Sequence, residues 1–314
     1  MLSYNVYLKK KQELLDKLIF KNSSIGYALN CDLLFTSRVN LPPRKDYILN
    51  ITNNSNIYIS PGEWPRNSDI LNINELVKLL SSKNIKVNFY ILHEPVTPMS
   101  IINLLNPVSN KIFISNNIYN SPKIKFMSIG IRDCAKVVPM TKGFTHNYLF
   151  DESKRSITKD IMCLMCFTLQ SHPIRKIIYN NLADKNFITN LNNRTWPSQP
   201  SIHCGKVPVW SFYDYLHKSI YCLSPRGCGV STHRFWESLY LDTIPIVVKT
   251  NTNFDKLYDF FPCLLVDSWD NITEELLESK KDELQKSLKD FKTKHSDKFM
   301  TDVNYINALL DKII

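Results

Sequence analysis

The thirty residues 219–248, SIYCLSPRGCGVSTHRFWESLYLDTIPIVV, constrain the fold more than any other part of the chain. Ser219 to Leu223 is a short apolar run that ends at Ser224-Pro225, where the chain must turn. Gly227 and Gly229 then let the backbone come close to a ligand. Ser231 or Thr232 is placed to cap a helix that carries His233, Arg234 and Glu237 and stops at Asp242, and Ile244 to Val248 reads as the next buried strand. α/β proteins hold phosphorylated ligands in this order of strand, glycine loop, helix and strand, because the free N–H groups of a helix start attract anions. Arg226 and Arg234 beside that start suit a diphosphate. Glu237, one turn into the helix on the face the loop reaches, is placed to accept hydrogen bonds from a ribose diol. The plainer alternative is an ordinary strand–helix–strand unit whose glycines only turn the chain.

The rest of the chain continues the alternation. Apolar runs at Tyr47 to Ile51, Asn56 to Ser60, Lys86 to Leu92, Lys111 to Ser115 and Lys125 to Gly130 read as strands. Helical spacing at Ile73 to Leu80 and Pro98 to Leu105 separates them, after an opening helix over Lys9 to Phe20. A second series begins near residue 160: a strand over Asp160 to Leu169, a helix over His172 to Asp184, a strand over Phe187 to Thr189 and a long polar loop from Asn190 to Pro208. The helix Phe254 to Phe260, the strand Cys263 to Val266 and the helix Thr273 to Phe291 follow the opening segment. Strands alternating with helices imply parallel sheets covered on both faces. The expected division is an N-terminal Rossmann-like domain over 1–140, a second over 141–300, and a terminal helix over 301–314 packed back on the first, with the hinge within 131–158.

Bulk properties narrow the partners. The 314 residues carry 39 lysines and arginines against 29 acids, a net charge of +10 that suits anionic ligands. Short basic runs such as Lys9-Lys10-Lys11 sit on helical patterns and read as solvated faces rather than nucleic-acid arms. Eight scattered cysteines include one CxxC, Cys163 to Cys166, inside an apolar run with no second pair at zinc spacing, so neither a metal site nor a disulfide framework is expected. No apolar stretch approaches the length of a membrane span and the N-terminus lacks a signal-peptide pattern, which gives an expectation of a soluble, cytoplasmic protein. Heavy use of asparagine, lysine and isoleucine hints at an AT-rich genome, such as that of a large DNA virus or a protist.

The order CLSPRG, a glycine-containing loop, then HRFWESLYLDTIPIVV resembles the donor-binding signature of exostosin-like glycosyltransferases, the family 47 group. With the tyrosine-containing helix Phe212 to Lys218, the resemblance covers roughly residues 209 to 270. It implies a GT-B fold, two Rossmann-like domains facing a cleft, with a nucleoside diphosphate sugar in the C-terminal domain. Carried onto matching positions, it has Arg226 meet the diphosphate, the backbone from Gly227 to Thr232, including Gly229 and Ser231, wrap it, and Glu237 take the ribose, with Ser224 and Arg234 lining the same site. Leu241-Asp242-Thr243 stand where the family has small residues.

Transfer of a sugar needs a stabilised leaving diphosphate, a base for the acceptor hydroxyl, and exclusion of water. No Asp-x-Asp triplet occurs, so arginines and a helix start would do what a cation does elsewhere, and no metal is expected. The base is expected at the carboxyl ends of the first domain's strands, among Glu63, His93 and Glu94, with Trp64 as an acceptor-stacking platform. Arg132 either reaches the donor phosphate or pairs with Asp133. The function expected is therefore inverting, metal-independent transfer from a UDP-sugar to a glycan or glycoprotein acceptor. The alternatives are a GDP-sugar transferase of the fucosyltransferase kind, or a non-catalytic basic protein that binds polysaccharide or nucleic acid.

Overall fold

The structure is a computed structural model, which describes residues 4–16, 27, 30–35, 45–60, 73–92, 96–131, 158–192, 207–296 and 298–313. The chain forms two compact units, Met1–Ala135 with Lys298–Ile314, and Lys136–Asp297. Among the described residues each is built on a five-stranded, wholly parallel sheet. The α/β reading with two Rossmann-like halves holds.

The first unit begins with α1 (Tyr4–Asp16), whose Tyr7 ring lies 4.9 Å from that of Tyr47. Lys9 and Lys10 face solvent, but Lys11 is buried and donates to the Cys31 carbonyl, so the basic run is only partly a solvated face. There follow β1 (Leu33–Phe35), β2 (Asn56–Ile59), α2 (Ile73–Ser82), β3 (Val87–Ile91), α3 (Met99–Leu105), β4 (Ser109–Ile114) and β5 (Ile124–Phe126). The strands lie in the order β1-β2-β3-β4-β5. Right-handed crossovers that always step the same way put their helices on one face.

Tyr47 to Ile51 is not a strand. Lys45–Asn50 is a 3-10 helix in which the adjacent Tyr47 and Ile48 are both buried while Leu49 is 73% exposed. A half-buried strand alternates its faces, so that pattern belongs to a tight helical turn. The edge place in the sheet goes to Leu33–Phe35, which is too short to show a period.

The second unit runs β6 (Ile161–Met165), α4 (Pro173–Leu182), β7 (Ile188–Asn190), α5 (Val209–Lys218), β8 (Ser219–Leu223), α6 (His233–Tyr240), β9 (Ile244–Val248), α7 (Asp255–Phe260), β10 (Leu264–Val266) and α8 (Glu274–His295). β6 is shorter than the apolar run suggests, because the chain turns into a 3-10 helix at Leu169–Ser171. The strand order is β10-β9-β8-β6-β7. From β6 the chain goes first to one side and then to the other, so its winding reverses between β6 and β8. In open α/β sheets of this kind ligands gather outside the carboxyl ends of the two strands at the reversal.

α6 is buried from Arg234 to Tyr240. An aromatic cluster covers it, with Phe235 5.5 Å from Tyr258, Trp236 5.0 Å from Phe261, and Phe261 5.4 Å from Phe291 of α8. Edge-to-face and tilted pairs of this kind add specific attraction to their burial. The helix ends at Leu241, and Asp242 takes a left-handed φ of 59° to reverse the chain. Lys292 fixes that turn, donating to the Asp242 carboxylate at 2.7 Å and the Tyr240 carbonyl at 2.8 Å. At the same end of the sheet Lys159 donates to the carbonyls of His217 and Ser219 at 2.8 Å and to Thr243 Oγ1 at 3.2 Å. Burial pulls its ammonium down to about 8.

The chain then rejoins the first unit through α9 (Lys298–Thr301) and α10 (Val303–Leu310). Asp302 caps α10 by accepting from the N–H groups of Asn304 and Tyr305. Phe299, Met300, Ile306 and Leu310 are fully buried. Asp311 pairs with Lys111 of β4 at 2.9 Å and Lys125 of β5 at 3.4 Å, which hold its carboxyl below the usual range against the opposing effect of burial. Asn307 Nδ2 lies 3.5 Å from the hydroxyl of Tyr90, which stacks on Phe113 at 4.5 Å, so α10 covers the sheet face these residues share.

Candidate functional site

The segment that dominates the sequence lies at the winding reversal of the second unit. β8 delivers Ser224, Pro225, Arg226 and Gly227 at its carboxyl end, directly beside the end of β6. Ser224 is buried, its N–H donates to the Ile246 carbonyl at 2.9 Å, and its hydroxyl donates to the Cys222 carbonyl at 3.3 Å. Arg226 is exposed. The N–H of Gly227 donates to the Gly229 carbonyl at 3.1 Å, closing a small turn around Cys228, which is exposed.

Of the two capping candidates Thr232 is the cap, with Oγ1 accepting from the Phe235 N–H at 3.3 Å. Ser231 instead receives the Trp236 Nε1–H at 3.5 Å. Arg234, in the first turn of α6, is only 4% exposed. Its guanidinium carbon lies 5.6 Å over the Phe212 ring, and its Nε has no hydrogen-bond partner among the described residues. A buried guanidinium nitrogen without such a partner is costly unless an anion completes it.

Glu237 is fully buried, not a solvated helix position, and its Oε1 accepts from the Tyr213 hydroxyl at 3.0 Å. α5 therefore supplies both the ring under Arg234 and the hydroxyl on Glu237.

The carboxyl end of β6 adds groups that sequence reading did not single out. His172 caps α4: its Nδ1 accepts from the Ile174 N–H at 3.2 Å, which leaves the ring proton on Nε2. Burial first, then the positive charges of Arg226 and Arg175, hold this imidazole below the ordinary histidine value, so it is a neutral N–H donor near pH 7. Arg175 is buried and donates to the carbonyls of Arg226 at 2.8 Å, Pro225 at 3.0 Å and Thr168 at 3.1 Å. The one available signal was His172-Pro173 opening a helix straight after a strand; the contacts themselves join residues about fifty positions apart.

The arrangement offers an exposed arginine, a buried arginine, a neutral imidazole donor and a capped helix start. Together they suit an anion with several oxygens. Glu63, Trp64, His93, Glu94 and Arg132 lie outside the described residues. Among the described residues no three His, Cys, Asp or Glu side chains gather as a metal site, and no helix is long and apolar enough to cross a membrane. Cys163 and Cys166 are buried free thiols.

No protein-family model matches the chain, and no curated protein matches it. Among solved structures it is similar to a glycosyltransferase from Rickettsia africae ESF-5, with a TM-score of 0.39 and 13% identity over 85% of this chain and 91% of that one. It is similar to the same degree to the N-terminal domain of a Candida albicans trehalose-6-phosphate phosphatase, with a TM-score of 0.39 and 12% identity over 85% of this chain and 72% of that one. Likenesses this distant carry no argument about activity.

Proposed function

We propose that the chain is a glycosyltransferase that moves a sugar from a nucleoside diphosphate sugar, UDP-linked, to a glycan acceptor, by inversion and without a metal. The observation that carries this reading is Arg234, a buried guanidinium whose Nε lacks a hydrogen-bond partner among the described residues, set in the first turn of a capped helix at the winding reversal. The resemblance of residues 209 to 270 to exostosin-like enzymes turns a general anion site into a donor site, and the Ser224-Pro225-Arg226-Gly227 step favours UDP over GDP.

In this reaction a base of the first unit, among Glu63, His93 and Glu94, takes the proton of the acceptor hydroxyl. The acceptor oxygen attacks the anomeric carbon as the bond to the diphosphate oxygen breaks. Arg226, Arg234 and the N–H groups at the start of α6 stabilise the charge that builds on the leaving diphosphate. His172 Nε2–H is a further donor toward the same oxygens. Glu237 takes a ribose hydroxyl, held in place by Tyr213.

Calorimetric titration with UDP, GDP and their sugars in the presence of EDTA tests the reading. Saturable binding of UDP, lost in Arg226→Ala, is the expected result. Preference for GDP would shift the donor to the fucosyltransferase kind, and absence of binding to every nucleotide would overturn the donor site in favour of a non-catalytic polysaccharide-binding protein.

A further inference from the structure

Three hydrogen bonds from Arg175 of α4 go to backbone carbonyls at the winding reversal. Nε donates to Arg226 at 2.8 Å, Nη2 to Pro225 at 3.0 Å, and Nη1 to Thr168 at 3.1 Å. The side chain is 7% exposed and its guanidinium carbon lies 5.7 Å from the centre of the Phe167 ring. The first two acceptors belong to the loop after β8 and the third to the segment after β6, so one rigid fork ties together the ends of two neighbouring strands. A planar guanidinium with donors at fixed angles does this in a way an ammonium cannot.

The bonds determine where the loop's own donors point. In a trans peptide the carbonyl and the following N–H point opposite ways. With the Pro225 carbonyl turned to Arg175, the N–H of Arg226 faces away from it. With the Arg226 carbonyl turned to Arg175, the N–H of Gly227 faces the other way and closes on Gly229 at 3.1 Å. The fit is close: a Cβ at Gly227 would lie 3.1 Å from Arg175 Nη2, so an alanine there requires the fork to give way slightly. The guanidinium is also a second positive charge beside Arg226, held at the carboxyl ends of β6 and β8.

We propose that Arg175 is a positioning residue of the donor site, which acts through the carbonyls of Thr168, Pro225 and Arg226 to hold the loop after β8 in the conformation that binds the donor's diphosphate. This rests on the donor-site reading above. Arg175 does not need to touch the ligand. Its contribution is to spare the loop an ordering cost at the moment of binding.

The test is titration of the parent, Arg175→Met, Arg175→Lys, Gly227→Ala and the Arg175→Met/Gly227→Ala pair with UDP and with inorganic pyrophosphate, each variant first checked for folding by its near-ultraviolet circular dichroism. Losing two charged hydrogen bonds that hold the loop is expected to weaken both ligands about tenfold or more in Arg175→Met. Arg175→Lys should lose less than Arg175→Met, because it keeps one charged donor. Gly227→Ala should weaken binding in the parent but add little in the Arg175→Met background, because the two act through one contact. Parent-like affinity in Arg175→Met and Arg175→Lys, with Arg226→Ala impaired, would overturn the role of Arg175 and leave the donor site standing. Failure of the parent to bind either ligand would remove the donor site and the role of Arg175 with it. Should Arg175→Met not fold, the same decision falls to Arg175→Lys and Gly227→Ala.

Discussion

Arg226 and Arg234 are both expected to meet the donor, but their mutation should affect stability differently. Arg226 is exposed, so Arg226→Ala should leave stability within about 0.5 kcal/mol of the parent while weakening nucleotide binding by about 1.5–3 kcal/mol. Arg234 is buried with an unmatched Nε, so Arg234→Met should raise stability by about 1–3 kcal/mol in denaturant titrations while abolishing nucleotide binding. A less stable Arg234→Met would mean that the guanidinium is a structural group after all. Cys228 gives an independent readout: it is the exposed thiol among the described cysteines and lies within the loop, so UDP should slow its alkylation as followed by mass spectrometry. At this scale Arg226, Thr232 and Arg234 could be read together as candidates, because they follow one another along a single loop and helix. Arg175 was not legible, because it reaches that loop only where β6 and β8 lie side by side in the sheet.

Among the elements, α6 depends on its cap. Thr232→Ala removes the acceptor for the Phe235 N–H and should cost about 1 kcal/mol, measured by denaturant titration. The last turn of α5 makes the protein sensitive to acid. His217 is buried there with Nδ1 lacking a hydrogen-bond partner among the described residues. Burial first, then Lys159 and Lys292, hold its imidazole below the ordinary value against the opposing pull of Asp242 and Asp214. The unfolded chain takes up a proton near pH 6.5 and the folded chain only at lower pH, so the unfolded state binds more protons in between. Stability supplied by neutral His217, and likewise by His172, is thus complete above about pH 6.5 and declines as pH falls below it. The thermal midpoint of His217→Gln should fall less steeply between pH 7 and 5 than that of the parent. Segments such as β8, α6 and β9 were legible from the sequence, since they are apolar runs and a capped helix bounded by turn residues at Ser224-Pro225 and Asp242. The stretch Tyr47 to Ile51 was not, because aromatic and β-branched residues favour strands in general, and only the solvent-facing Leu49 shows that the chain turns there.

Across the whole molecule, the first unit is assembled from two distant stretches of chain and the second from one. The residues that make the closing contacts, Phe299, Met300, Ile306, Leu310 and Asp311, all lie beyond residue 297. A chain ended after residue 297 should therefore lose hydrogen-exchange protection in β3, β4 and β5 and keep it in β6, β8 and β9. Equal loss in both sheets would show that the units do not hold separately. The sequence gives reason to expect a terminal helix over 301–314 on the first domain, but nothing in it singles out β4 and β5 as the strands that α10 meets. Its pairing with Lys111 and Lys125 depends on charges some two hundred residues apart.

This division also sets an order of events during synthesis. Domains fold as units, commonly the N-terminal one first as the chain emerges from the ribosome. Here the middle segment is whole once residue 297 has emerged, while the sheet made from the earliest residues must wait for the last helix. The half with the basic loop should therefore mature first, leaving the other half's Tyr90, Phe113 and Lys125 exposed to whatever holds nascent chains until Asp311 arrives.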